Sequence, residues 1–283
     1  MEGNSGSGER RLSAHVRAQL SGLRDTEARV ARVVLDKGAD LVHLSVSDVA
    51  ALAGTAPSSV VRACQRLGFR GYQELKIAAA REAPAATPSS EPDPAARALA
   101  DTVRAAREAL DGLATTLPAS TLRQAAEALA VAPSVLVVGA GLSGAVALDA
   151  AYRLRALGLV VDAPADPLTA QLAASQLAPA AVCLAVSHTG ATRSTVDAAR
   201  RARTAGAAVI SLTSYARSPL SETSTHTLVA GGQDLVFGLE TVASRLAHLA
   251  VVDALTLTLR TLRGAAAETA LRFSADVTAD HAY

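Results

Sequence analysis

Five short apolar runs, spaced by helix-length stretches, constrain this chain more than any other feature. They are SVLVV (134–138), LVV (159–161), VCLAV (182–186), AVISL (208–212) and TLV (227–229). Continuous apolar runs of this length are what strands buried on both faces require. Mixed polar and apolar stretches near 142–157, 168–177, 191–205 and 239–262 predict helices between and after them. Strands alternating with helices imply crossover connections, and so a doubly wound, flavodoxin-like α/β domain with a five-stranded parallel sheet. Two further amphipathic helices, 95–116 and 119–132, precede the first strand.

Upstream the pattern changes. Residues 83–94 read APAATPSSEPDP, and four prolines among small polar residues disfavour both helix and strand. We therefore expect an all-helical domain over 10–83, a proline-rich linker over 84–94, the α/β domain over 95–263 and a C-terminal tail over 264–283. No internal repeat is visible, and the tail carries no interpretable signal.

In the helical domain, LSVSDVAALAGTAPSSVVRACQRLGFRGYQELK (44–76) divides into two short helices and a turn. Ser47 is the expected N-cap of the first, with Val49, Ala50 and Leu52 on its buried face. Gly54 permits the turn and Pro57 suits the first turn of the second helix. This is helix-turn-helix spacing. If Val60, Val61, Cys64 and Leu67 turn inward, then Ser58, Ser59, Arg62, Gln65 and Arg66 face outward. Hydroxyls, an amide and guanidinium groups are the donors that reach phosphates and base edges in a major groove. From 57 to 81 the basic residues Arg62, Arg66, Arg70, Lys76 and Arg81 face one acid, Glu74. That makes a local positive patch in a chain whose net charge is only +1. The near-neutral whole excludes a general polycation, and a capping or dimerising bundle is the alternative reading of the same pattern.

The strings LRDTEARVARVVLD (23–36), LSVSDVAALAG (44–54) and SSVVRACQRLGFRGYQELK (58–76) closely resemble the helix-turn-helix domain of the RpiR family of bacterial transcriptional regulators. LGFRGYQELK is the most specific part. The family pattern usually has Val-Ser where this chain has Thr55-Ala56, and phenylalanine where it has Ala63. The resemblance implies double-stranded operator DNA as a partner, read by Ser58, Ser59, Arg62, Gln65, Arg66 and Arg70.

In the α/β domain the first run leads into GAGLSG (139–144), a GxGxxG match opening a helix, and Asp162 follows the next strand. Alone, this spacing suits a dinucleotide. The third run leads into SHTGATRS (187–194), which a nicotinamide site does not explain. Ser187, Thr189 and Thr192 offer hydroxyls, Gly190 lets the backbone bend close to a ligand, and the next helix presents its amides to an anion. Both loops leave the carboxyl ends of strands and can face one cleft, where Ser143 and Gly141 join from the first. The set is a cradle for a phosphate monoester; an ordinary helix cap is the alternative for each hydroxyl taken singly.

GAGLSG and SHTGATRS, followed by GAAVISLT (206–213) and SPL (218–220), resemble the sugar isomerase, or SIS, domain that RpiR-type regulators carry after their helix-turn-helix. By that resemblance Ser143, Ser187, Thr189 and Thr192 bind a phosphosugar, with His188 at a variable place in the motif.

The function implied is a regulator, not an enzyme, whose operator affinity changes with a phosphorylated sugar or sugar derivative. The alternative is a SIS-fold sugar-phosphate isomerase with a helical appendage. It would need a base, for which Glu240, His226, His188 and His248 are the candidates, none with a partner visible in sequence. A nicotinamide-dependent enzyme is a third reading. No cofactor or metal is expected: Cys64 and Cys183 lack CxxC or CxxH neighbours and read as small core residues. The first residues, MEGNSGSGERR, are polar where a signal peptide needs an apolar block, and no run of about 18 uncharged apolar residues follows. A cytoplasmic location without membrane contact is expected. A homodimer or homotetramer is expected, associating through helices 95–132 and 239–262.

Overall fold

A run such as VCLAV has no polar face to offer water, so it must be covered on both sides; the fold supplies that cover with helices. The computed structural model describes residues 12–82, 91–230 and 242–281. These form two units, one up to residue 82 and the other from residue 91 onward.

The first unit contains α1 (Leu12–Gln19), α2 (Asp25–Lys37), α3 (Val46–Leu52), α4 (Pro57–Arg66) and α5 (Tyr72–Glu82). Its core gathers Val16, Val30, Val34, Leu41, Val49, Val60, Cys64, Leu67 and Leu75 from all five helices and the segment after α2. The Tyr72 hydroxyl donates to the Leu44 carbonyl at 2.9 Å, tying α5 to the chain entering α3. Two expectations are corrected here. The N-cap of α3 is Ser45, not Ser47. In a reciprocal capping box the Ser45 amide donates to Asp48 Oδ2 at 2.9 Å and the Asp48 amide to Ser45 Oγ at 3.1 Å. Leu52 is 52% exposed, because the buried stripe of α3 runs 46, 49, 50, 53 at helical spacing and leaves position 52 outside it.

The second unit comprises α6 (Pro94–Thr116), α7 (Ala119–Ala130), β1 (Val135–Gly139), α8 (Leu142–Ala156), β2 (Val161–Asp162), α9 (Pro167–Ser175), β3 (Val182–Val186), α10 (Arg193–Thr204), β4 (Ala208–Thr213), β5 (His226–Val229), α11 (Val242–Arg263) and α12 (Ala265–Asp280). All four strand pairings are parallel, in the order β2-β1-β3-β4-β5. Val135 pairs with Val182, and Val182 with Ala208, so β1, β3 and β4 start together. One face of the sheet is covered by α7, α8 and α11, where Val137, Leu184 and Leu212 meet Leu129, Leu154 and Leu255. The other is covered by α9 and α10, whose alanines let them lie close to Leu136, Cys183 and Val209. Cys64 and Cys183 are both fully buried, and burial pushes each thiol up to about 12.

The tail, uninformative in sequence, is the helix α12. Ala267 is buried in the core and Ala270 lies against Gly158 at the end of α8. Arg263 donates to the Ala130 and Gly158 carbonyls, each at 3.4 Å, fastening the start of that tail to α7 and α8. No helix of the described residues is long and apolar enough to cross a membrane.

Candidate functional site

In this strand order the winding direction reverses between β1 and β3, and ligands of such sheets sit beyond the carboxyl ends of the strands at that reversal. The loops singled out from sequence are the ones that leave β1 and β3 there. Gly139 ends β1 because nothing larger fits: a Cβ would lie 2.8 Å from the Ser143 carbonyl oxygen and 2.9 Å from Ala147 Cβ. Gly141, at φ +58°, then turns the chain into α8 and sets Ser143 in its first turn.

The two loops touch. The His188 amide donates to Ser143 Oγ at 3.3 Å, with both residues buried. Ser187, wholly buried, places its Oγ 3.0 Å from Thr192 Oγ1. Thr192 occupies the N-cap position of α10 yet makes no side-chain cap bond, so its hydroxyl turns to Ser187 and not to its own helix. Thr189 Oγ1 accepts from the Ala191 amide at 3.2 Å, closing a local turn. Gly190 is buried at φ +61°, directly over Ser218; a Cβ there would meet Ser218 Oγ at 2.1 Å. The loop is thus held from beneath as well: the His188 carbonyl accepts from Thr213 Oγ1 at 3.1 Å and from the Ser214 amide at 3.0 Å.

No ligand role was read for Thr213, at the end of β4, or for Ser214 and Ser218 in the polar stretch after it, whose path could not be read from sequence. Nor could the pairing of two histidines. His188 Nδ1 lies 2.8 Å from Ser214 Oγ, and Ser214 Oγ lies 3.1 Å from His248 Nε2 on α11. The rings are 6.0 Å apart. Burial first, and His188 second, lower the His248 pKa to about 3, so its imidazole is neutral. Of the other base candidates, His226 opens β5, partly exposed, and Glu240 lies outside the described residues. Asp162 is exposed on the edge strand β2.

The second candidate surface is on α4. Its inward residues are Val60, Ala63, Cys64 and Leu67, all fully buried, with Val61 at the margin. Ser58, Arg62, Gln65, Arg66 and Arg70 are exposed and Ser59 is partly so. Arg62 Nη2 donates to Ser59 Oγ at 3.1 Å. Arg24 and Glu27 of the α2 region join Arg62, Gln65 and Arg66 around a shallow cleft, and Arg66 Nε is 3.8 Å from Glu27 Oε1. Arg70 pairs with Glu74 at 3.4 Å. The N-cap of α4 is Ala56, which offers no side-chain acceptor to the first-turn amides. Lys76 does not belong to the exposed positive patch, being 4% exposed; the Arg81 side chain lies outside the described residues.

Comparison with known proteins separates the two units in the same way. Residues 11–85 match the model of the helix-turn-helix domain of the rpiR family, and residues 128–258 match the SIS domain. An HTH-type transcriptional regulator of Caldanaerobacter subterraneus subsp. tengcongensis is 32% identical over 86% of this chain and 88% of its own. The HTH-type transcriptional regulator HexR of Pseudomonas aeruginosa is 30% identical over 89% and 90%. The structure of Vibrio vulnificus NanR complexed with ManNAc-6P superposes with a TM-score of 0.82 at 25% identity, covering 96% of this chain and 99% of that one.

Proposed function

Because the chain belongs to the RpiR family of helix-turn-helix regulators and carries a SIS domain, we propose that it is a transcriptional regulator whose grip on operator DNA is set by a phosphorylated sugar or sugar derivative. The observation that carries the effector half is the bond from the His188 amide to Ser143 Oγ, which unites two hydroxyl-bearing turns at the sheet's switch point. Ser143, Ser187, Thr189 and Thr192, with the bends at Gly141 and Gly190, hold the phosphate; His188 borders it. Residues 10–83 read DNA through Ser58, Ser59, Arg62, Gln65, Arg66 and Arg70. Residues 84–94 connect them to the sensing domain, 95–263, and 264–283 brace it.

The protein works in the cytoplasm as a homodimer or homotetramer, pairing helix-turn-helix units across a two-fold operator. Leu99, Val103 and Leu110 on α6 and Leu246, Leu257 and Leu262 on α11 expose apolar surface suited to that association. It is a sensor without catalysis. This reading is supported by His248, whose pKa burial lowers to about 3 and which is therefore a poor base at neutral pH.

The test is fluorescence anisotropy on the promoter of the protein's own operon, with and without a panel of sugar phosphates. Salt-dependent binding shifted by one ester supports the reading. Turnover of fructose 6-phosphate would instead support the isomerase.

A further inference from the structure

We infer that Glu27 is a specificity-determining residue of the DNA-reading face: fixed to its own helix, it stands against one edge of the Arg66 guanidinium, so that Arg66 reads a base with its other edge and is withheld from phosphate. The inference rests on the operator-binding reading above. It brings α2 into an interface expected from α4 and the turn after it.

Glu27 lies in the first turn of α2, three residues after the N-cap Arg24. Its two oxygens have different tasks. Oε2 accepts the Arg24 main-chain N–H at 3.0 Å, which fastens the carboxylate to its own helix. Oε1 stands 3.8 Å from Arg66 Nε. The Glu27 side chain is 13% exposed and that of Arg66 56%, so the acid is the anchored member of the pair and the guanidinium the one that reaches outward. Val30 and Val34 of α2 share a core with Val60 and Cys64 of α4, which holds the acid in register with the second helix of the helix-turn-helix. Arg24, Arg62 and Gln65 complete the lining of the cleft between them.

A guanidinium carries five N–H groups in one plane. With Nε turned to an acid, the two terminal nitrogens still offer a fork that matches O6 and N7 of guanine in a major groove. A base edge is neutral, so Arg66 can meet it without leaving Glu27. A phosphate is an anion: drawn to Arg66, it either comes close to the Glu27 carboxylate or pulls the guanidinium away from it. In the free protein an ion pair this exposed contributes little. Against DNA the cleft loses water, and both the attraction and the repulsion grow. Glu27 therefore weakens contact with any duplex, and weakens it least where a guanine faces Arg66. Discrimination of this kind comes from a repulsive element as much as from an attractive one.

The test uses the full-length protein and fluorescence anisotropy on two duplexes of equal length and composition. One is the promoter of the protein's own operon and the other the same sequence shuffled, each measured without effector and with the sugar-phosphate panel. The quantity read is the ratio of the two affinities in the state that binds the promoter more tightly. Glu27→Gln keeps an oxygen for the Arg24 amide and removes only the charge. It should strengthen binding to both duplexes, to the shuffled one more, so that the ratio falls about tenfold, the discrimination of one bidentate contact to guanine. On the shuffled duplex the slope of log affinity against log salt should also steepen by roughly 1, as Arg66 is released to phosphate. Arg66→Lys, which keeps the charge and loses the fork, should lower the ratio as far without a gain on the shuffled duplex. The double variant should have no lower a ratio than Arg66→Lys alone, since the acid acts through Arg66. An unchanged ratio in Glu27→Gln, or a further fall in the double variant, overturns the inference and leaves the operator reading intact. Unaltered protein that binds the promoter no better than the shuffled duplex in any state overturns the operator reading, and the inference with it.

Discussion

Ser143 Oγ accepts the main-chain proton of His188 across 3.3 Å, joining the turn after β1 to the turn after β3 although 45 residues separate them. This bond ties together the two turns that leave the sheet at its switch point. A buried amide deprived of its acceptor costs about 1–3 kcal/mol. Ser143→Ala should lower the unfolding free energy of the sensing domain by that amount in urea titrations. It should also weaken sugar-phosphate binding by more than Thr189→Ala does, since the Thr189 hydroxyl bonds only within its own turn. Unchanged stability and affinity in Ser143→Ala would show that the two turns hold their places independently.

The bend at Gly190 is the tightest point of the site. Alanine there meets both a left-handed backbone and the Ser218 side chain at 2.1 to 2.4 Å. At Gly141 the backbone is similarly unusual, φ +58°, but nothing lies within 4 Å of a Cβ. Gly141→Ala should cost only backbone strain, about 1–3 kcal/mol. Gly190→Ala should cost more and abolish effector binding. The order of the two denaturation midpoints is the measurement, and equal midpoints would place Ser218 as a yielding neighbour and not a floor.

His248 gives the fold a dependence on acid. Its folded pKa is depressed from the ordinary 6.5 to about 3, chiefly by burial, so between those values the unfolded chain takes up a proton that the folded one refuses. Stability contributed by the neutral ring is complete above pH 6.5 and declines as pH falls toward 3, at up to about 1.4 kcal/mol per pH unit. His248→Leu removes this titration. The difference in unfolding free energy between that variant and the natural protein should shift in the variant's favour as pH drops from 7 to 5, and a flat difference would rule the linkage out.

The architecture was legible because alternation of unbroken apolar runs with amphipathic stretches has few three-dimensional solutions. VCLAV and AVISL could only be interior strands. The turn residues were legible for a related reason: Gly141 and Gly190 occupy positive φ, which the sequence signals by placing glycine where strand passes to helix. What stayed hidden was which of two neighbouring serines caps a helix, which way a charged side chain faces, and which distant residues meet. The α3 cap went to Ser45 because two serines stand at 45 and 47 and only the first has an acid three residues on. Lys76 looked like part of a basic face because charge counts ignore which side of α5 it occupies. Ser214 and His248 are 34 residues apart, and no periodicity predicts their meeting. In α12, small residues give a helix no strong stripe, yet they are what lets it approach α8 at Gly158.

The same distinction between counted and surface charge yields a test of the DNA-reading face. Arg62 is exposed and bound only to the neutral Ser59 hydroxyl among the contacts described, whereas Lys76 is buried. A side chain that neutralises a phosphate contributes about 0.9 to the slope of log affinity against log salt. Arg62→Ala should therefore weaken operator binding and, if Arg62 meets the backbone, reduce the slope by roughly 1; Gln65→Ala should instead relax sequence preference at constant slope. Lys76→Met should leave the slope unchanged. Arg66 is in between, because its guanidinium stands 3.8 Å from Glu27 and must share or leave that acid to reach DNA. Glu27→Gln removes a negative charge from the cleft beside Arg62, Gln65 and Arg66, and so should strengthen DNA binding, most at low salt where screening is least. Anisotropy titrations at three or more salt concentrations resolve all four variants. A slope insensitive to Arg62 but lowered by Lys76→Met would move the DNA-contacting face from α4 to α5.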